Sequence, residues 1–253
     1  MTRMPKSRVL LTGAAGKLGL AFAQAFVREG ASVWLADSSR DGLAAAKAGV
    51  PTSQLLGTLC FDITQPAQVK EAFAEISLRS GGLDVLVNNA GIGVFSPFWE
   101  RDYDEFMMVL NVNVGGTFLC TREALLLMKT GPGGSIINVG SVYGVVSSDP
   151  RIYTDCARMN SEVYSASKAG VIQMTKYFSV HAAPFNVRVN CVSPGGVFNN
   201  QGDDFVKNYA DKTPMQRMAK DSEICGAAVF LASAEAQYIT GQNIVVDGGF
   251  SAW

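Results

Sequence analysis

Histidine is nearly absent from this chain: His181 is the only one in 253 residues. A histidine-based metal centre or a Ser-His-Asp triad would have to rest on that one side chain, and no nucleophile-elbow motif supports one. His181 reads as structural or surface. Cysteines are few and scattered. Cys60, Cys120, Cys156, Cys191 and Cys225 form no Cys-x-x-Cys pair, which argues for reduced thiols and against a zinc site or disulfide framework. No apolar run is long enough to span a bilayer. The short basic start runs straight into Val9-Leu10-Leu11-Thr12 and a glycine turn, so it reads as a first strand rather than a secretory signal. An excess of either charge is missing too. A net charge of −1 gives no electrostatic case for nucleic acid or an anionic membrane. The expectation is a cytoplasmic protein with neither of those partners.

What is present is a generous core: 48% of residues are hydrophobic and 17% charged. Short apolar runs at 8–12, 32–36, 56–61, 84–87, 135–139, 187–192 and 243–246 read as strands. Helix-period segments at 17–28, 41–48, 66–80, 102–129, 162–182 and 221–232 alternate with them. Fully apolar strands separated by helices imply a parallel sheet covered on both faces. No linker or repeat interrupts the pattern. The fold class expected is therefore α/β, a single doubly wound Rossmann domain over 1–253 with a seven-stranded parallel sheet. Segments 143–161 and 195–215 look irregular and follow strands, on the sheet edge where ligands bind.

Tyr164 and Lys168 stand four residues apart in a predicted helix, so their side chains share one face. A neighbouring ammonium favours a phenolate, and a phenol tuned in this way can exchange a proton with an alcohol or ketone oxygen. Near the N-terminus, Thr12-Gly13-Ala14-Ala15-Gly16-Lys17-Leu18-Gly19 follows the first strand and opens a helix. Glycines there let the backbone approach a pyrophosphate resting on the helix start. Asp37 closes the second strand, 18 residues after Gly19. A carboxylate at that place accepts from a ribose diol and repels a 2′-phosphate, which predicts NAD, with NADP as the alternative because Lys17 and Arg40 lie close by. Asp62 and Ile63 are placed to meet an adenine. Asn88-Asn89-Ala90-Gly91 combines small residues with amides that either border the cofactor or tie strands together.

These residues resemble the short-chain dehydrogenase/reductase family in its compact single-domain branch, along essentially the whole chain. The resemblance is carried by the glycine loop, Asn88 to Gly91, Asn113, Ser141, Tyr164 with Lys168, Pro194-Gly195, and the ending Ile239-Thr240-Gly241-Gln242 through Asp247-Gly248-Gly249. It implies that Tyr164 is the acid/base and that Lys168 assists it and binds the nicotinamide ribose. It further implies that Ser141 positions the substrate oxygen and that Asn113 holds a water in a proton relay. Gly13, Ala15, Lys17, Leu18, Gly19, Asp37, Asp62, Ile63, Asn89, Ala90 and Gly91 would line the cofactor, with Pro194, Gly195 and the Val197 backbone at the carboxamide. Three departures stand out. Lys17 occupies the usual middle-glycine position, Asn199 replaces a common cofactor-contacting threonine, and Ser141 and Tyr164 lie 23 residues apart, about ten more than usual for the resemblance.

The extra residues, 145–163, should overhang the site. Arg151 and Arg158 there are candidate clamps for a carboxylate or phosphate, or else solvated loop charges. With Asn199, Asn200 and Gln201 in the second loop, they suggest a polar substrate. The extended Ser–Tyr gap also resembles a subgroup associated with bacterial surface-sugar biosynthesis, which implies a sugar, sugar acid or nucleotide-linked sugar. Two other functions remain open: an NADPH-dependent 3-oxoacyl thioester reductase and a non-catalytic cofactor-sensing protein. The long segments 102–129 and 162–182 carry apolar positions beyond what one sheet face buries, which suggests a homo-oligomer, a tetramer or dimer.

Overall fold

The computed structural model describes residues 2–154 and 159–253, so the Arg158 expectation lies outside the described residues. Seven strands form one sheet: β1 (Arg8–Thr12), β2 (Ser32–Asp37), β3 (Leu55–Cys60), β4 (Val85–Asn88), β5 (Gly134–Val139), β6 (Val187–Pro194) and β7 (Asn243–Val246). They run parallel in the order β3-β2-β1-β4-β5-β6-β7. The order reverses between β1 and β4, which opens a crevice at the strand C-termini on that line.

Side chains alternate across this sheet and bury on both sides. Val9 and Leu11 point into one core with Phe22 and Phe26 of helix α1 (Lys17–Arg28) and with Ile224 and Val229 from residues 221–232. Leu10 points into the other, with Trp34, Phe73, Ile76 and Met128. Each such side chain contributes about 1.5–3 kcal/mol of burial, which is why uninterrupted apolar strands specify this arrangement.

The remaining helices are α2 (Arg40–Ala48), α3 (Pro66–Ser80), α4 (Tyr103–Leu110), α5 (Thr117–Met128), α6 (Glu162–Ala182), α7 (Asp203–Lys212) and α8 (Asp221–Ala232). Two of these correct the sequence reading. The segment expected as one helix over 102–129 is interrupted by a wide π turn, Asn111–Gly116. Gly115 and Gly116, poor helix formers, lie in it. The segment 195–215, expected as irregular, contains α7, whose Phe205 and Tyr209 are buried. Its Gly, Asn and Asp content hid a helix that is stabilised by packing rather than by propensity.

That packing is a third, smaller core of Val142, Ile152, Phe205, Tyr209, Met218 and Phe250. It joins the two ligand-edge loops to each other. Asp149 adds a tie, accepting hydrogen bonds from Arg151 in its own loop and from Lys212 of α7. Those bonds, Arg151 foremost, hold the Asp149 carboxyl well below the usual carboxylate range.

Beneath the ligand edge runs a buried polar ladder. Asn88 Nδ2 donates to Thr121 Oγ1 (2.9 Å) and Asn138 Oδ1 (2.8 Å), and Asn138 Nδ2 donates to Thr175 Oγ1 (2.9 Å). It links β4, β5, α5 and α6. Replacing Asn138 with Leu strands a buried donor of Asn88, at about 1–3 kcal/mol per unpaired group. The melting temperature should fall by roughly 4–10 °C; a thermal melt indistinguishable from wild type would remove the ladder's structural role.

Candidate active site

The glycine loop is built for close approach. Gly13 has φ 65°, and a Cβ there would lie 2.8 Å from the Ala90 Cα. A Cβ on Gly19 would lie 2.0 Å from the Gly13 carbonyl oxygen. Asn89 fixes the loop by donating from Nδ2 to the carbonyls of Thr12 (3.1 Å) and Gly13 (3.0 Å). Thr12 Oγ1 in turn accepts from the amides of Asn89 and Ala90. No side chain caps the start of α1 at Gly16, so that helix end faces the cleft with its amides open to a ligand.

Asp37, at the tip of β2, accepts from the Ala15 amide at 3.0 Å and from the Ser39 amide at 3.0 Å. An ionised carboxylate has about four lone-pair sites, so two amides leave capacity for a diol. Asp62 turns its carboxylate onto Thr64, while Ile63 packs so tightly on Gly116 that a Cβ there would come within 2.4 Å. Both border a cleft of about 530 Å³ with Gly13, Lys17, Asp37 and Ala90. Lys17 reaches across the cleft mouth and donates from Nζ to the Phe198 carbonyl at 2.6 Å. This donor set and these side-chain-free positions fit the adenosine and pyrophosphate half of a dinucleotide.

Leu18, Asn89, Gly91 and Ile92 border both this cleft and a second one of about 420 Å³, so the two adjoin. In the second cleft Ser141, Tyr164 and Lys168 come together. Ser141 follows β5. Tyr164 and Lys168 occupy the first turns of α6, whose start is capped by Ser161 Oγ accepting from the Tyr164 amide at 3.2 Å. Lys168 is buried and donates to the Val139 carbonyl at 2.8 Å, with Nζ 5.7 Å from the centre of the Tyr164 ring. Gly91 makes room: a Cβ there would lie 3.4 Å from that ammonium.

Asn113 sits behind this pair, on the π turn. Its Oδ1 accepts from the Ile92 amide (2.8 Å), and its Nδ2 donates to the Ile92 carbonyl (2.9 Å) and Ser167 Oγ (2.9 Å). Ser167 Oγ donates onward to the Tyr164 carbonyl at 2.7 Å. The Asn113 side chain thus locks the loop after β4 to α6. Pro194, Gly195 and Val197 form the opposite lip, and a Cβ on Gly195 would lie 2.7 Å from the Asp247 Cα.

The loop residues expected to meet the substrate are placed differently. Arg151 is 85% exposed at its side chain and paired with Asp149, outside the cleft lining. Asn199 and Asn200 are exposed at the rim, with the Asn199 amide donating to Gln201 Oε1; Gln201 itself borders the cleft. Residues the sequence reading did not single out line it instead: Phe95, Tyr143, Tyr153, Asn160, Phe205 and Tyr209. Tyr209 Oη accepts from the Gly196 amide, and burial pushes its phenol up to about 12. Lys168 is the one charged side chain lining this cleft among the described residues.

The family model that matches residues 13–251 is described as enoyl-(acyl carrier protein) reductase. A 3-oxoacyl-(acyl-carrier-protein) reductase of Thermotoga maritima is 36% identical, covering 95% of this chain and 96% of its own. A cyclopentanol dehydrogenase of Comamonas is 33% identical over 100% of both. The crystal structure of a short-chain dehydrogenase from Leptospira borgpetersenii with bound NAD+ superposes with a TM-score of 0.90 at 39% identity, covering 98% of this chain and 94% of that one. The chain belongs to the short-chain dehydrogenase/reductase family, whose members act as oxidoreductases on CH–OH groups.

Proposed function

We propose that the protein interconverts a secondary alcohol and its ketone with NAD, and that the substrate is a compact, uncharged, ring-bearing alcohol. The observation that carries the reading is the meeting of Ser141, Tyr164 and Lys168 in a cleft continuous with the glycine loop. Bound NAD supplies the acceptor for the hydride that leaves the carbinol carbon. The chain supplies the rest. Ser141 Oγ holds the substrate oxygen, and Tyr164 Oη takes its proton in oxidation and returns it in reduction. Lys168 steadies the phenolate and reaches the nicotinamide ribose, and Asn113 keeps the helix carrying both in register with the loop after β4. Fixing the reacting groups in this way, with a proton acceptor in place, is what general acid–base catalysis requires.

The finer substrate reading follows the cleft wall. Phe95, Phe205 and Met218 supply apolar lining, while beyond Ser141 and Lys168 the polar lining consists of phenols and the amide side chains of Asn89, Asn160 and Gln201. A neutral ring, whether a carbocycle or an unmodified sugar, is matched by such a wall. A sugar acid or nucleotide-linked sugar draws little support, because neither Arg151 nor any cation besides Lys168 borders the cleft among the described residues. The Thermotoga relative and the family description favour an acyl-thioester reductase as the second reading. The aromatic closure by Tyr143, Tyr153 and Phe205 and the carboxylate of Asp37 weigh against it. A cofactor-sensing protein without turnover would have no use for the complete Asn113, Ser141, Tyr164 and Lys168 set. Among the described residues no helix is long and apolar enough to cross a membrane.

Tyr164→Phe should lower kcat/KM by about 10²–10⁴ while leaving NADH binding near wild type, as read by titration of cofactor fluorescence. Turnover close to wild type would remove Tyr164 from the chemistry. Asp37 should give NADH the higher kcat/KM over NADPH, and Asp37→Ser should shrink that preference; a wild-type enzyme favouring NADPH would contradict the role assigned to Asp37. Tyr103, Met107, Phe118, Tyr177 and Val180 stand exposed on the α4–α6 helices, in keeping with a dimer or tetramer. Light scattering should then report a multiple of the 26.9 kDa chain mass, and a species of one chain alone would rule assembly out.

A further inference from the structure

The hydroxyl oxygens of Tyr143 and Tyr153 lie 3.3 Å apart in the wall of the substrate cleft. We propose that this hydroxyl pair is a specificity-determining contact that receives a second, uncharged oxygen of the substrate, so that ring diols or hydroxyketones are preferred to alcohols with one oxygen. The inference rests on the alcohol–ketone reading above and narrows its substrate class.

Tyr143 is held in a fixed relation to the chemistry. It stands two residues beyond Ser141, and its amide donates to Ser141 Oγ at 3.2 Å. The turn that carries it, Val142–Gly144, is pressed onto α6: a Cβ on Gly144 would lie 2.8 Å from the Lys168 carbonyl carbon and 2.9 Å from the Ala169 nitrogen. The Tyr143 ring meets Phe250 edge-on at 6.3 Å, and Phe250 stacks on Tyr209 at 4.8 Å. Tyr153 arrives from the inserted loop, with its ring 5.3 Å from that of Phe205. One hydroxyl of the pair is therefore fixed to the catalytic helix and the other to the loop that distinguishes this chain.

The chemistry of the pair selects its ligand. Phenolic hydroxyls both donate and accept, so an entering hydroxyl or carbonyl oxygen can be bonded whichever way its own proton points. Their mutual distance is longer than the usual 2.7–2.8 Å for O–H···O, so exchanging that bond for a ligand's loses little. Burial, and after it Tyr153, pushes the Tyr143 phenol far up, which keeps it protonated and neutral. A neutral phenol at Tyr143, in a cleft whose described lining holds no charge besides Lys168, suits a neutral oxygen better than a carboxylate. Sites that hydrogen-bond a substrate hydroxyl also reject analogues lacking it, because the buried partner is left unpaired.

The test compares NAD-dependent oxidation of cyclohexanol and of the positional cyclohexanediols by wild type, Tyr143→Phe and Tyr153→Phe. Phenylalanine keeps the ring packing and removes only the hydroxyl. Wild type should favour one diol over cyclohexanol in kcat/KM by about tenfold or more, and in each variant the loss on that diol should exceed the loss on cyclohexanol by about tenfold. A diol-to-cyclohexanol ratio that is the same in all three proteins overturns the pair's role and leaves the alcohol–ketone reading standing. If wild type oxidises none of these alcohols, the ring-alcohol reading itself fails, and the pair's role with it.

Discussion

The site depends on one buried ammonium. Lys168 is inside the protein, its charge turned onto the Val139 carbonyl at the end of β5. Burying a cation is costly unless polar partners are in place, so the surroundings of Lys168 are strictly specified. Gly91 leaves the space, the β5 carbonyl supplies the acceptor, and Asn113 fixes the backbone alongside. Each belongs to a different element, and the sheet order brings those elements to one edge. The same lysine sets where Tyr164 can be, because the two share a helix face.

Much of this was legible in the sequence. Apolar strands such as Val33 to Ala36 announce a sheet buried on both faces, and Gly13, Gly16 and Gly19 after a strand announce a phosphate turn. Tyr164 and Lys168 at helix spacing announce two side chains that share one face, and both line the cleft. These signals are local: periodicity and spacing write them directly into the chain. Asn113 was recognisable through its family motif, but the π turn that carries it was not. A widened turn leaves the apolar period almost intact, and only the weak helix formers in Asn111–Gly116 hint at it.

What stayed hidden is tertiary. Tyr143, Tyr153, Phe205 and Tyr209 come from three separated segments and meet only because two loops share a small core. The charges in those loops looked like substrate contacts because charged side chains stand out in a sequence. In the fold Arg151 finds Asp149, and Asp149 finds Lys212, so their attraction goes into joining loop to helix. A sequence shows that such groups exist; whether they face a ligand or each other is decided by packing.

Gly144 has a consequence of its own. Because no methyl group fits between its turn and the backbone of Lys168, the phenol at Tyr143 and the phenol of Tyr164, one helical turn before Lys168, cannot drift apart independently. The two act as the ends of a ruler with a fixed span. On the proposed chemistry, that span would sort molecules by the distance between their reactive carbon and a remote oxygen. Tyr153, carried by the inserted loop and outside that rigid span, is the part whose displacement would change the preference.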